Sequence, residues 1–128
     1  MAGPVRAGAL VYAKDLARVS KFYEEVLQMR RVVDDADHHV LESPDLQLIV
    51  HAIPAHIAAT IAIESPPEPR EEAAIKLFFT VASFADASAV AASLGGMLYE
   101  QEWAGPGFKV RNGCDPEGNI LQLRERAG

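Results

Sequence analysis

The four histidines are the residues of this chain best suited to metal binding. His38 and His39 are adjacent, so on a strand their side chains point to opposite faces and cannot bind one ion together. His51 has the same strand parity as Gln47, which favours a position facing a cavity. His56 follows in a region that reads as a connection. A metal site built from His51, His56 and an acidic partner is one hypothesis.

Chemistry without a metal would depend on His51 or Lys76, which are suitable residue types for proton transfer. The single cysteine, Cys114, has only Arg111 near it in sequence to activate the thiol, which favours a small buried residue. The sequence contains no serine–histidine–aspartate order, phosphate-binding glycine loop or nucleophile elbow. An acid–base enzyme and a binding protein both stay open.

The composition indicates a globular chain of about one domain. Of its 128 residues, 49% are hydrophobic and 23% are charged. The formal charge is −6, and no basic cluster exceeds Arg30-Arg31, so we expect no nucleic-acid partner. An acidic balance mildly favours cationic ligands, although solubility explains it equally well.

The sequence also predicts a protein that is neither secreted nor inserted in a membrane. The N-terminus lacks the pattern of a signal peptide, and the longest apolar run, residues 57–63, is too short to cross a bilayer. A single cysteine excludes an internal disulfide and suits a reducing compartment. We therefore expect a cytoplasmic protein.

Residues 115–119, Asp-Pro-Glu-Gly-Asn, predict a tight turn that leads into a short apolar strand. Asp-Pro favours turn initiation, and Gly118-Asn119 tolerates positive φ. In the strand that follows, Ile120, Gln122 and Arg124 share one face.

Two segments of the chain predict the same unit, shifted by 68 positions. Asp15 maps on Ser83 as a helix start, and the apolar positions Leu16, Val19, Phe22 and Val26 map on Phe84, Ala87, Val90 and Leu94. Each half is predicted as β-α-β-β-β. The predicted strands are 7–12, 29–33, 38–42 and 46–51 in the first half, and 75–81, 97–101, 108–111 and 120–124 in the second.

The predicted boundaries are a first module at 1–53, a connecting segment at 54–74 and a second module at 75–128. The connection is rich in proline and charged residues, with a short helix expected near residues 55–63. A four-stranded sheet with one helix leaves a face open, so neither module can complete a core alone. Together they form one α+β domain.

The turn at 115–119 and the segment Asp15–Met29, which begins Asp-Leu-Ala-Arg-Val-Ser-Lys-Phe-Tyr, resemble motifs of the vicinal-oxygen-chelate superfamily. This superfamily holds glyoxalase I, extradiol dioxygenases, fosfomycin-resistance enzymes and bleomycin-resistance proteins. The resemblance covers nearly the whole chain. It implies two βαβββ modules forming a cupped mixed sheet around a ligand, and a homodimer.

The resemblance also implies where a metal would bind. Carried over by position, the superfamily's four ligand sites fall on Gly8, Gln47, Lys76 and Gln122. Glycine has no ligating side chain, a protonated lysine has no lone pair, and two neutral amides do not offset a divalent charge. The resemblance therefore predicts no metal at the inherited site and no cofactor.

Strand parity predicts an apolar–aromatic cleft with a few polar groups, which is typical of a small-molecule site. Lys76 is expected either to contact a ligand carboxylate or phosphate, or to extend into solvent. Trp103 is predicted in a loop, as a ligand contact or as an anchor for that loop. The predicted ligand-binding residues are Tyr12, Gln47, His51, Lys76, Phe78, Trp103 and Gln122.

The sequence thus favours a metal-free protein that binds an aromatic or amphipathic small molecule, similar in logic to bleomycin-resistance proteins. The alternative is a lyase, isomerase or dioxygenase of the same superfamily, either metal-dependent with a relocated site or using acid–base catalysis. A third hypothesis is a protein-interaction module whose cup is filled by side chains.

Overall fold

The computed structural model describes residues 5–128, and both halves have the predicted order β-α-β-β-β. The first half contains β1 Gly8–Ala13, α1 Leu16–Leu27, β2 Arg30–Asp34, β3 His38–Ser43 and β4 Leu46–Ala52. A short helix, α2 Ala55–Ala58, lies in the connection. The second half contains β5 Leu77–Val81, α3 Phe84–Ser93, β6 Met97–Gly105, β7 Phe108–Cys114 and β8 Ile120–Arg126.

The two halves form separate four-stranded mixed sheets with the same topology. The strand order is β1-β4-β3-β2 in the first sheet and β5-β8-β7-β6 in the second. In each, the first strand runs parallel to the last, and the remaining pairs are antiparallel. The predicted α+β fold of two βαβββ modules is confirmed.

Both long helices begin at the predicted caps. The Asp15 side chain accepts a hydrogen bond from the amide of Arg18, and Ser83 Oγ accepts one from the amide of Asp86, each at 3.1 Å. These bonds satisfy amides that have no partner inside the helix. At the C-terminal end of α1, Gln28 adopts a left-handed conformation with φ 55°.

One hydrophobic core joins the halves and lies on the helix side of both sheets. Helix α1 contacts α3 and β5 of the second half as well as its own strands β3 and β4. In each sheet, helix side chains therefore cover one face, and the other face stays exposed. The core cluster comprises Ala13, Val19, Phe22, Tyr23, Val26, Met29, Leu41, Leu48, Val50, Phe79, Phe84, Ala87, Ala91, Leu98, Leu121 and Leu123.

The turn at 115–119 also joins the two halves. Tyr23 Oη of α1 donates to Asp115 Oδ2 at 2.7 Å, although the two residues are 92 positions apart. The carboxylate of Glu117 accepts from the amides of Lys14 and Asp15, at 2.8 and 2.7 Å. Asp115 and Glu117 are both buried. These bonds connect the turn before β8 to the start of α1.

The structure corrects the predicted environment of Trp103, which lies in β6 and not in a loop. Strands β6 and β7 extend beyond their predicted ends and meet at the pair Gly105–Phe108. Only Pro106 and Gly107 remain between the strands, and Gly107 has φ 82°. Proline followed by a residue with positive φ makes a tight turn, so the Gly/Pro cluster ends a hairpin and does not form a long loop.

The connection between the halves folds back on the same turn. The amide of Arg70 donates to the carbonyl of Gly118 at 2.8 Å, and Pro67 is buried. In the described part of the chain, no helix is both long enough and apolar enough to cross a membrane.

Candidate functional site

Each sheet presents one face that no helix covers, and we call these the first and the second open face. Strand register places on the first open face, among others, Gly8, Leu10, Tyr12, His38, Val40, Glu42, Gln47, Ile49 and His51. It places on the second, among others, Phe78, Thr80, Trp103, Phe108, Val110, Asn112, Gln122 and Arg124. Six of the seven predicted ligand-binding residues lie on these faces, and Lys76 directly precedes β5.

At one end of the first open face, polar side chains satisfy one another. Gly8, Gln47 and Glu42 lie side by side across three strands. Gln47 Nε2 donates to Glu42 Oε2 at 3.3 Å, and Arg30 Nη2 lies 4.0 Å from Glu42 Oε1. The amide of Gln47 and the carboxylate of Glu42 therefore already have partners within the chain.

At the other end of this face, three rings are grouped. The His38 and His51 rings are nearly parallel with centroids 5.9 Å apart, and Tyr12 lies 6.0 Å from His51. A hydrogen bond between Nδ1 of His38 and Asp37 raises the pKa of His38. Tyr12 is 63% exposed, so this end is open to a flat ligand.

The proton of His51 can be assigned from its hydrogen bond. Nδ1 lies 2.8 Å from the carbonyl oxygen of Ala52. Since a carbonyl oxygen can only accept, Nδ1 carries the proton, and in the neutral ring Nε2 keeps a lone pair. Such a ring has the form of a general base.

His39 points to the helix side of the first sheet, opposite to its neighbour His38, as the alternation of side chains along a strand predicts. Its Nδ1 lies 2.7 Å from Ser20 Oγ, and its Nε2 lies 3.1 Å from Asp34 Oδ1. The structure thus assembles a serine–histidine–aspartate contact that the sequence analysis did not find. Ser20 belongs to the buried side of α1 and is fully buried, so its hydroxyl cannot reach a substrate and the contact stabilises the core.

The second open face combines aromatic rings with polar groups. Phe78 and Gln122 are register partners, while Thr80, Arg124, Val110 and Trp103 form one row across all four strands. Phe78 is 56% exposed and Trp103 is 44% exposed. Lys76, directly before β5, is exposed. Arg124 shares the parity of Gln122, a signal that the sequence analysis noted without naming Arg124 as a binding residue.

The residues present do not fit a divalent metal. Gly8 and Gln47 are register partners, but glycine offers no donor atom and the Gln47 amide is bonded to Glu42. Gln122 pairs with Phe78, and the nearby Lys76 is a cation. Within residues 5–128, no three histidine, cysteine, aspartate or glutamate side chains are grouped so that they could bind one ion, and this holds for His51 and His56 as well.

A groove of about 780 Å³ brings residues of both halves together. Gly8 and Asp45 line it from the first half, and Lys76, Phe78 and Thr80 line it from the second. Tyr12, Gln47, His51, Trp103 and Gln122 do not line this groove. A single chain therefore unites only two of the predicted ligand-binding residues in one groove.

Cys114 is buried, as the sequence analysis favours. Burial raises the pKa of its thiol, so the reactive thiolate is disfavoured near neutral pH. Burial also raises the pKa of Tyr99, whose hydroxyl lies next to this thiol. Neither side chain is suited to nucleophilic chemistry.

No protein-family model matches the sequence. No curated protein matches it either.

Solved structures share the fold at low sequence identity. One is a glyoxalase/bleomycin resistance protein from Albidiferax ferrireducens T118, with a TM-score of 0.67 and 18% identity, covering 94% of this chain and 98% of that chain. A genomically encoded fosfomycin resistance protein from Listeria monocytogenes has a TM-score of 0.65 and 10% identity, covering 100% and 94%. A bleomycin resistance determinant encoded on transposon Tn5 has a TM-score of 0.56 and 19% identity, covering 98% and 100%.

The fold is therefore the one seen in these glyoxalase/bleomycin resistance and fosfomycin resistance proteins, as the resemblance in sequence implied. A fold does not by itself determine a function, so the function depends on the residues of the open faces.

Proposed function

We propose that this protein binds a small aromatic or amphipathic molecule on its open faces without a metal. The observation that carries the proposal is the exposure of Leu10, Tyr12, Phe78 and Trp103 on sheet faces that also present a few polar groups. Exposed apolar clusters rimmed by polar groups are typical of binding sites. A bleomycin resistance determinant with the same fold provides a precedent for this class.

The proposed ligand contacts are the residues that the sequence analysis selected. Ring contacts are assigned to Tyr12, His51, Phe78 and Trp103, and polar contacts to Gln47, Lys76 and Gln122. The metal-free character is supported by the donor chemistry, since glycine and lysine occupy two of the four inherited ligand positions. A single, buried cysteine is in keeping with a cytoplasmic location.

We further propose a homodimer, in which the first open face of one copy lies opposite the second open face of the other. Large apolar side chains are exposed on both faces of a single chain, and covering them would complete an enclosed cleft. Light scattering on the purified protein tests this proposal. A mass of twice 13.8 kDa is expected, and a mass of 13.8 kDa at micromolar concentration would contradict the dimer.

Ligand binding is testable through Trp103, the only tryptophan. Titration with planar aromatic compounds should quench its fluorescence with saturation at micromolar concentration. Phe78→Ala should weaken binding about tenfold or more, because it removes an exposed ring from the second open face. Ile75→Ala is the control, since Ile75 is also an exposed apolar residue but precedes β5. If no aromatic compound changes the fluorescence of Trp103, the binding function is refuted.

An acid–base enzyme is the second candidate, favoured by the free Nε2 of His51. If His51 acts as a base, His51→Gln should reduce turnover by a factor of about 100 or more without weakening ligand binding comparably. Lys76→Gln should then reduce turnover further if the ammonium group acts as the acid. Unchanged turnover in the double variant would remove this candidate.

A further inference from the structure

The proposed contacts leave Arg124 of the second open face unexplained. Its guanidinium carbon lies 3.8 Å from the centroid of the Phe78 ring and 4.7 Å from that of Phe108. Its Nε donates to Gln122 Oε1 at 3.2 Å. Two rings and one amide therefore fix the position of this guanidinium group.

The charge of Arg124 has no counter-ion within residues 5–128. Among residues 5–128, Arg30, Arg31 and Arg111 each lie within 4.0 Å of a carboxylate. Four exposed arginines do not, and neither does Arg124, which is the only half-buried arginine among the five. The residues paired with Arg124, Thr80 and Val110, are uncharged. A half-buried cation without an anion is costly, so this arrangement favours an anionic partner from outside the chain.

A second polar group on the same face lacks a partner. Asn112 is the register partner of Gln122, and its Oδ1 is buried without a hydrogen bond in the described part of the chain. Buried polar atoms are nearly always bonded, so this acceptor requires a hydrogen-bond donor from another molecule, which a ligand carboxylate does not supply. The orphan atom therefore shows that the face is incomplete, while the choice of an anion depends on Arg124 alone.

The geometry of arginine selects the kind of anion. Aromatic rings contact a guanidinium group over its flat faces and leave the donors at its edge available. These edge donors match the two oxygens of a carboxylate. Trp103 lies two strands from Arg124 in the same row, which corresponds to about 10 Å at the usual strand spacing. This distance suits a ligand with a carboxylate at one end and a planar ring at the other.

We infer that the second open face binds an aromatic carboxylate, whose carboxylate group contacts Arg124 and whose ring contacts Trp103. This inference rests on the proposed binding function and names its ligand class. The overall charge of −6 mildly favours cationic ligands, but the local charge at this face is positive, and local charges act most strongly at contact distance.

The test compares 2-naphthoate with 2-naphthamide, which has the same ring system and a planar, uncharged head group. Isothermal titration of the full-length protein should show naphthoate binding about 10- to 100-fold more tightly, as expected for hydrogen bonds to a charged group. Arg124→Gln should bring this ratio close to one. Lys21→Gln, which makes the same charge change on an exposed position of α1, should leave the ratio unchanged.

Three results would overturn the inference. Equal binding of the two compounds by the wild type would show that the carboxylate is not recognised, while the proposed binding function would stand. A preference that persists in Arg124→Gln would assign it to another residue. If Arg124→Gln converts a dimer to a monomer in light scattering and the naphthoate preference is retained, Arg124 would instead be assigned to a carboxylate of the second copy.

Failure of both compounds to bind the wild type would count against the proposed binding function itself.

Discussion

The two halves of this protein share topology but differ in how their polar groups are satisfied. Both sheets have the same strand order, and both long helices cover the core-facing side. On the first open face, Glu42 lies close to Arg30 and accepts from Gln47. On the second, Arg124 contacts two rings, and no carboxylate of residues 5–128 lies within 4.0 Å of it. A repeated fold constrains the core side of each sheet, whereas its open side can diverge in chemistry.

The halves also differ in what holds the start of each helix. The amides of Lys14 and Asp15, just before α1, bond to Glu117 of the second half. The amide of Phe84, at the start of α3, bonds to Glu125 of its own half. The start of α1 therefore depends on the second half, whereas the start of α3 is held by a residue of its own half.

The largest expected effect is the loss of Asp115, which joins the halves. Its carboxylate accepts from Tyr23 Oη, from the amides of Glu117 and Asn119, and from Asn119 Nδ2. Asp115→Ala leaves buried donors unpaired and should lower the free energy of unfolding by about 3–5 kcal/mol, measured by denaturant titration. Asp86→Ala, on the exposed first turn of α3, should cost less than about 1 kcal/mol.

If Asp115→Ala fails to fold, Tyr23→Phe provides a milder test of the same connection between the halves. Burial, followed by the charge of Asp115, raises the pKa of Tyr23, so its hydroxyl remains a donor at neutral pH. Removing this hydroxyl should lower the free energy of unfolding by about 1–3 kcal/mol. An unchanged free energy of unfolding would contradict the role of the Tyr23–Asp115 hydrogen bond in joining the halves.

Glu117 and Glu125 provide a matched pair that tests the dependence of one half on the other. Glu117→Gln replaces one accepting oxygen by an NH₂ group and should cost about 1–3 kcal/mol. Hydrogen exchange should accelerate at the amides of Lys14 and Asp15, in the other half. Glu125→Gln should accelerate exchange at Phe84 only. Unchanged exchange at Lys14 and Asp15 in Glu117→Gln would show that the halves are independent at this point.

The C-terminal ends of the two helices give a smaller contrast. Gly95 follows α3 with φ 90°, whereas Gln28 follows α1 with φ 55°, a region that disfavours residues with a Cβ atom. Gln28→Gly should therefore raise the free energy of unfolding by up to about 1 kcal/mol. Gln28→Ala keeps the Cβ atom and should give no gain. Equal stabilities of the two variants would remove backbone strain as the explanation.

The smallest expected effect is a pH dependence confined to the first open face. Because the bond to Asp37 raises the pKa of His38 in the folded state, His38 contributes stability that is fully present below pH 6.5. This contribution is lost as the pH rises through the raised pKa. NMR titration of the ring protons should report a pKa above 6.5, and Asp37→Asn should lower it. An unchanged pKa of His38 in Asp37→Asn would contradict the hydrogen bond to Asp37 as the cause of the raised pKa.

The sequence determined the element types, the repeat and the side of each strand on which a residue lies. Helical spacing from Leu16 to Val26, the caps at Asp15 and Ser83 and the turn at 115–119 depend on neighbours along the chain, so local patterns were sufficient. Strand parity likewise predicted that His38 and His39 point to opposite faces. Trp103 was misplaced, because a Gly/Pro cluster predicts a turn but not the length of the strands on either side of it.

Only the tertiary structure decided which polar groups find partners. Tyr23 meets Asp115 across 92 positions, and Glu117 reaches Lys14 across 103, distances over which no local pattern carries information. The same holds for Arg124, whose parity with Gln122 was visible but whose lack of a counter-ion was not. Electrostatic and hydrogen-bond energies depend on separation in space, so the charges available for a ligand become visible only after the chain has folded.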